Sequence, residues 1–229
     1  MPFSERAAKS NKVIEILQKY YWDSPEIKKL GIFHEPYGYE THISQDTQNI
    51  LKQIYTKTAK HIRFTPDYII GRINFNLEPV VLLEYKVTTT PRFSLNDKQW
   101  NEGQIEADAW DNYINLINAG IGVAILLYCP YHPRPLLCDF PNNKYITKAR
   151  NNVRQTMNGS GTPYCNIDLS AMGNFDDFMF AQFGVQKNIT NNILRHVLNI
   201  FKNEPMLQIT HDSRSIYKDK QSGFNWLPI

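Results

Sequence analysis

Two carboxylates and one amine stand in strand-like stretches of this chain, at a spacing that lets them act together. Asp67 begins one stretch, and Glu84 and Lys86 lie in the next, with Glu84 seventeen positions after Asp67. Because side chains alternate along a strand, Glu84 and Lys86 share one face with Thr88. A charged pair is costly in so apolar a strand unless it meets a partner. Hairpin pairing of the two stretches brings Asp67 beside Glu84.

This group of side chains suits the hydrolysis of a phosphodiester. Two converging carboxylates make a hard-oxygen site for Mg²⁺. Such a metal binds a phosphate oxygen, lowers the pKa of a water molecule and neutralises developing negative charge. Lys86 can orient that water or help to deprotonate it, and it can stabilise the transition state. Asp67 and Glu84 are therefore the predicted metal ligands, and with Lys86 they are the predicted catalytic residues.

Two strands and a turn carry these residues. Residues 65–75 and 80–88 have the composition of strands, and residues 76–79 between them have that of a hairpin turn. The face of the second strand that lies opposite the charged pair presents Tyr85, which we expect to pack into the core.

The rest of the chain predicts further helices and strands. In chain order they are a helix over about 4–21, a loop with Gly31, Pro36 and Gly38, a helix from Ser44 or Asp46, a helix over 97–119 that ends at Gly120, a buried strand over 121–128, a strand over 136–140 and a helix over 188–202. This order of elements indicates an α/β fold with a mixed central β-sheet flanked by helices.

Pro66-Asp67 followed by Glu84-Tyr85-Lys86 resembles the signature of the PD-(D/E)XK nuclease superfamily, which includes many restriction endonucleases. The spacing of the acids suits that family's two-strand hairpin. The family usually has a helix after the lysine strand, often with a Gln near its start, and Gln104 fits that place. The resemblance covers about residues 60–130. It implies a restriction-endonuclease-like fold, DNA cleavage and a Mg²⁺ cofactor, for which Mn²⁺ can substitute.

Three more residues are candidate substrate contacts. In a nuclease of this kind Gln104 would orient Lys86 or a DNA strand. Thr88 and Arg92 lie close behind the lysine, where they can hydrogen-bond the phosphate backbone or base edges. Alternatively, Thr88 and Arg92 have no contact with substrate, and their residue types reflect only β-propensity and a solvated loop.

Some members of the family also use a glutamate of the first helix. Glu15 lies away from the apolar face of that helix, and Glu5 lies near its end. Neither is assigned a role, so the number of metal ions stays open.

The composition narrows the class of protein. The 229 residues are 42% hydrophobic and 21% charged, which is ordinary for a globular protein. The longest apolar run, over 121–128, is too short to span a bilayer, and no signal peptide is evident, so we expect no membrane partner. Three scattered cysteines suit neither a zinc site nor a disulfide framework, which favours the cytoplasm. A net charge of +3 permits a nucleic-acid partner.

These features favour a Type II restriction endonuclease that cuts double-stranded DNA at a specific sequence. We expect residues 1–229 to form one nuclease domain, with its catalytic core over about 60–130. Residues 131–229 would serve DNA recognition or dimerisation. A homodimer is expected because two-fold protein symmetry matches a palindromic site.

Other interpretations stay open. One is a Holliday junction resolvase, a repair nuclease or a homing nuclease of the same fold. Another is a non-catalytic DNA-binding protein on a nuclease scaffold. The simplest is a surface hairpin in which Glu84 and Lys86 form an ordinary salt bridge, although the apolar run over 80–83 disfavours it.

Overall fold

The computed structural model describes residues 3–37, 65–73, 80–89, 102–149 and 164–209. Its helices are α1 (Phe3–Leu17), which continues as a π-helical segment (Gln18–Trp22), α2 (Pro25–Lys29), α3 (Ala107–Asn118), α4 (Phe175–Phe183) and α5 (Lys187–Asn203), with 3₁₀ turns at Asn143–Tyr145, Leu169–Ala171 and Pro205–Leu207. Its strands are β1 (Ile32–Pro36), β2 (Tyr68–Arg72), β3 (Val81–Val87), β4 (Glu102–Glu106), β5 (Gly122–Tyr128), β6 (Leu136–Asp139), β7 (Ile146–Ala149) and β8 (Tyr164–Asp168).

A mixed sheet stands at the centre of the fold, with the strand order β1-β2-β3-β5-β6. Strands β1, β2 and β3 pair antiparallel, β3 and β5 pair parallel, and β5 and β6 pair antiparallel. Strands β4, β8 and β7 form a smaller antiparallel sheet. A mixed central sheet flanked by helices confirms the predicted fold class.

The central sheet separates two hydrophobic cores. Leu83 and Tyr85 of β3 pack into the first core, with apolar side chains of α1, α4 and α5. Leu82 of the same strand packs into the second core, with side chains of α3 and the smaller sheet. Because β3 is covered on both faces, any polar side chain on it must find a partner inside the protein. Glu84 and Lys86 alternate with Tyr85 and therefore lie on the face of the second core.

Local sequence explains the helices that cover the sheet. In α5, the spacing of Leu194, Val197 and Phe201 gives the buried stripe of an amphipathic helix. In α3, Trp110 and Tyr113 are one turn apart and both are buried. Gly120 follows α3 with φ of 85°, a left-handed conformation that glycine adopts without strain, so the helix ends where the sequence predicts.

Several predicted elements are present with shifted ends. The strands expected over 65–75, 80–88, 121–128 and 136–140 correspond to β2, β3, β5 and β6, and the helices expected over 4–21 and 188–202 correspond to α1 with its π-helical segment and to α5. The predicted turn over 76–79 and the helix from Ser44 or Asp46 lie outside the described residues.

Two sequence-based assignments are wrong. The stretch with Gly31 and Pro36, expected as a loop, contains β1, which gains its hydrogen-bond partners from β2. The helix expected over 97–119 begins only at Ala107, and Gln104 lies on β4 instead. β4 pairs with β8, about sixty residues further along the chain. Long-range pairing thus overrides the local pattern in both places.

A close approach at Gly103 positions β4 against the central sheet. A Cβ atom at Gly103 would lie 2.9 Å from Leu127 Cδ1 of β5 and 3.1 Å from Leu169 Cδ2. A side chain there would require Leu127 and Leu169 to shift, so the close packing of β4 against β5 favours glycine at this position.

Cys129, Cys138 and Cys165 are all buried and unpaired. Among the helices of the described ranges, none is both long enough and apolar enough to cross a membrane.

Candidate active site

The pairing of β2 with β3 brings the two acids together. The antiparallel register sets Tyr68 opposite Leu83, so one further step places Asp67 opposite Glu84. Directly opposed residues of an antiparallel pair have Cβ atoms about 4.5–5.5 Å apart. The carbonyl oxygen of Asp67 also accepts a hydrogen bond of 2.7 Å from the Tyr37 backbone N–H, which ties the start of β2 to the end of β1.

Glu84 and Lys86 form an ion pair that is enclosed by the protein. Lys86 Nζ lies 2.5 Å from Glu84 Oε1, and the side chains are 29% and 6% exposed, respectively. Their strand lies in the middle of the central sheet, paired on both sides. A surface hairpin with an ordinary salt bridge is therefore excluded. Burying a carboxylate in this way costs free energy, and the pairing with Lys86 offsets part of that cost.

Lys86 carries its positive charge among carboxylates. Burial by itself lowers the pKa of Lys86, but the negative charges of Glu84, Asp67 and Glu106 outweigh burial, and the pKa is raised above its usual value. Lys86 is therefore a cation at neutral pH, which suits a hydrogen-bond donor better than a base. The cluster formed by the carboxylates of Asp67, Glu84 and Glu106 and the ammonium of Lys86 therefore has a formal excess of negative charge.

Tyr113 and Glu106 belong to the same cluster, and the sequence analysis missed both. Burial raises the pKa of Tyr113 well above its usual value, and the charge of Glu84 and a hydrogen bond to its carboxylate raise it further. Tyr113, on α3, thus lies near the Glu84 carboxylate. The charges of Asp67 and Glu106 raise the pKa values of both Tyr113 and Lys86. No sequence motif marks Tyr113, because its position in an apolar helix face resembles that of any core residue.

The three predicted substrate contacts have different environments. Gln104 donates a hydrogen bond of 3.1 Å to Asn166 Oδ1, on the neighbouring strand β8. The Thr88 hydroxyl lies 3.1 Å from the Tyr131 hydroxyl, on the continuation of the Glu84 and Lys86 face. Arg92 lies outside the described residues.

The first helix contributes a lysine near the site. Lys9 Nζ donates a hydrogen bond of 2.9 Å to Thr89 Oγ1, at the end of β3, and both side chains are buried. Glu15 instead faces the surface, where it pairs with Lys12 at 2.8 Å. The side chain of Glu5 lies outside what the structure describes.

A polar and aromatic cluster lies on the opposite face of β2 and β3, behind the acids. The ring of His34 is stacked between Trp22 and Tyr68, with centroid distances of 4.7 Å and 4.5 Å and interplanar angles of 2° and 5°. Tyr68 directly follows Asp67, and Tyr85 stands between Glu84 and Lys86. The strand segments that carry the candidate catalytic residues are therefore packed from behind by this cluster.

Each polar atom of the His34 ring has a partner. Nδ1 lies 2.6 Å from Gln18 Oε1, and Nε2 lies 2.8 Å from the Tyr85 hydroxyl. That hydroxyl accepts a hydrogen bond of 2.9 Å from Trp22 Nε1. A neutral ring satisfies all three contacts when Nδ1 donates to Gln18 and Nε2 accepts from Tyr85. Burial lowers the pKa of His34 to about 3, so the ring is neutral at physiological pH.

The carboxylates fit a hard divalent cation. Within the described residues, no three His, Cys, Asp or Glu side chains are arranged to hold a metal ion. Mg²⁺ does not require three, because it is commonly bound by one or two carboxylates together with water and substrate phosphates. Asp67 and Glu84, opposed across two strands in a cluster with excess negative charge, provide such a pair.

No protein-family model matches the chain, and no curated protein matches it. Among solved structures, the chain is similar to Hjc, a Holliday junction resolvase of the archaeal hyperthermophile Archaeoglobus fulgidus, with 11% identity and a TM-score of 0.39. The similarity covers 74% of this chain and 94% of Hjc.

Proposed function

We propose that this protein is a metal-dependent nuclease that hydrolyses DNA phosphodiester bonds, with Asp67, Glu84 and Lys86 at its reaction centre. The observation that supports the proposal most directly is the arrangement on β2 and β3. A buried glutamate paired with a lysine lies on the central strand, and the register sets an aspartate opposite that glutamate. This combination matches the PD-(D/E)XK signature in its residues, its spacing and its strand context.

Each residue has a part in the proposed reaction. Asp67 and Glu84 would hold Mg²⁺ through their carboxylate oxygens. When bound, the ion would supply Lewis-acid polarisation of the scissile phosphate and of a water molecule. The water oxygen would form a bond to phosphorus and lose a proton to solvent, while the ester P–O bond breaks and the departing oxygen takes up a proton from solvent. Lys86 places a positive charge and N–H donors beside the phosphate, where they stabilise the negative charge of the transition state.

Tyr113 and Glu106 are proposed to act through these residues. The Tyr113 hydroxyl would donate a hydrogen bond to Glu84 and limit the orientations of its carboxylate. Glu106, at the junction of β4 and α3, adds negative charge that favours a cation in the site. Neither residue is proposed to contact the reacting phosphate.

We further propose that the protein is a Type II restriction endonuclease that cuts double-stranded DNA as a homodimer. Residues 1–229 would form one nuclease domain. Support comes from the chain beyond the catalytic strands. The elements from β6 to α5 follow the predicted catalytic core of about residues 60–130, and their exposed faces offer surface for sequence recognition or dimerisation. Cytoplasmic location and the use of Mg²⁺, with Mn²⁺ as a substitute, are part of the same proposal.

The direct test is incubation of the full chain with long duplex DNA and with a four-way junction, each with Mg²⁺ and with EDTA, followed by gel electrophoresis. Discrete fragments of the duplex that form with Mg²⁺ but not with EDTA would support Type II cleavage. Cleavage of the four-way junction but not of the duplex would instead identify the protein as a Holliday junction resolvase. The matched variant is Lys86→Ala, which should abolish cleavage while circular dichroism stays unchanged. Intact DNA of both kinds would contradict the nuclease proposal.

A further inference from the structure

The loop between β5 and β6, residues 129–135, lies beside the proposed reaction centre. β5 runs parallel to β3, and the register pairs Val87 with Tyr128, so both strands end at the same edge of the sheet. Ligands of sheets with parallel strands bind at the carboxyl ends of those strands. Cys129 and Tyr131 pack with the second core, on the face that Glu84 and Lys86 share. The loop therefore borders the site on the substrate side.

Several contacts make this loop rigid. Three of its seven residues are proline, which restricts the backbone. The Cys129 N–H donates to the Pro135 carbonyl at 2.7 Å and closes the base of the loop. His132 Nδ1 lies 3.1 Å from the Arg134 backbone nitrogen, which donates to it. The Tyr131 hydroxyl lies 3.1 Å from the hydroxyl of Thr88, which ties the loop directly to the strand of the site.

Arg134 is the charged side chain that this loop presents to solvent. It is exposed, and its Nη2 donates to the carbonyl oxygen of Met172 at 3.4 Å. A guanidinium has five N–H donors, so this anchor leaves most of them available for a ligand. The anchor also limits the rotamers of the side chain, which reduces the entropy lost on binding.

We propose that residues 129–135 form a DNA-backbone contact and that Arg134 binds a phosphate flanking the scissile one. This proposal rests on the proposed nuclease function for its substrate class. Two strand spacings, or about 10 Å, separate β3 from β6 where the loop ends. Arg134 would therefore contact a phosphate close to the bond that is cleaved.

The test measures DNA binding without cleavage. The full-length protein is titrated in EDTA against a fluorescein-labelled duplex of about 30 base pairs, and the dissociation constant is obtained from anisotropy between about 50 and 200 mM salt. In Arg134→Gln, we expect the dissociation constant to rise roughly 10- to 150-fold, as for one charged hydrogen bond lost. The slope of log K against log salt should become shallower by about 0.9, the value for one phosphate contact.

The matched control is Lys202→Gln. Lys202 is exposed at the end of α5, a helix that covers the other face of the central sheet. This variant loses the same charge and should keep the slope of the wild type. An Arg134→Gln variant that stays folded and has the slope and affinity of the wild type would overturn the proposal.

A second variant covers the case in which Arg134→Gln unfolds. Arg134→Lys keeps the charge but lacks the planar fork of donors, so we expect an unchanged slope and an affinity weaker by several fold. An affinity equal to that of the wild type would overturn the proposal. The two proposals fail separately. DNA binding that depends on Arg134 without any Mg²⁺-dependent cleavage would refute the nuclease function alone, whereas cleavage with Arg134-independent binding would refute the loop contact alone.

Discussion

His34 should make the stability of this protein depend on pH between about 6.5 and 3. Its folded-state pKa of about 3 lies below the usual value of 6.5, because burial disfavours the charged ring. As the pH falls, the unfolded chain therefore takes up a proton at this histidine before the folded protein does. The stabilisation from the neutral ring is complete above pH 6.5 and is lost progressively as the pH falls towards 3.

The size of the loss follows from the two pKa values. Each pH unit between them removes about 1.4 kcal/mol of unfolding free energy. Lowering the pH from about 7.5 to about 4.5 should therefore remove roughly 2.5 kcal/mol through His34 alone. A folded-state pKa one unit higher than about 3 changes this figure little, since pH 4.5 would still lie above it.

The measurement is urea unfolding at both pH values, for the wild type and for His34→Phe. Phenylalanine can keep the stacking between Trp22 and Tyr68 but has no proton to gain. Other groups also titrate in this range, among them His132, whose pKa burial lowers, so the comparison between the two proteins isolates His34. We expect the wild type to lose roughly 2.5 kcal/mol more than the variant. An equal loss of unfolding free energy in both proteins would show that His34 titrates like a solvent-exposed histidine. That result would refute the prediction.

Three further substitutions test the site and its support. Asp67→Asn should weaken Mg²⁺ binding in calorimetry, because a carboxylate is the better ligand for a hard cation; an unchanged affinity would remove Asp67 as a ligand. Tyr113→Phe removes the hydroxyl that is proposed to donate to Glu84 and should lower kcat about tenfold, or about 1.4 kcal/mol, with KM nearly unchanged. A change in KM alone would argue for substrate contact instead. Tyr85→Ala should cost about 3–5 kcal/mol in urea unfolding, since its ring is buried and its hydroxyl bonds Trp22 and His34; a loss below about 1 kcal/mol would contradict its core position.

The local pattern of the sequence was sufficient to predict the two antiparallel strands that carry the acids. Alternation along residues 80–88 separates Glu84 and Lys86 from Tyr85, and the structure buries Tyr85 in the first core as predicted. The same pattern places Asp67 at the start of the partner strand. These features could be predicted because the period of a strand and the return of a hairpin depend on residues that are neighbours in sequence.

Only the tertiary structure decided which other groups surround the acids. β4 forms because β8 supplies its hydrogen bonds from a distant part of the chain, and this pairing moved Gln104 from the expected helix start to a strand beside Asn166. Tyr113 reaches Glu84 because α3 packs over the face of the sheet that carries it.

Contacts between distant segments also form the polar and aromatic cluster around His34. No sequence motif marks His34 as a buried residue, yet β1 pairs with β2 and carries the ring between Trp22 and Tyr68. Its depressed pKa comes from that enclosure and from no property of the neighbouring sequence. Residue type and spacing determined the candidate chemistry, whereas contacts between distant segments determined burial, hydrogen bonding and pKa, because these depend on what packs against a residue and not on what adjoins it in the chain.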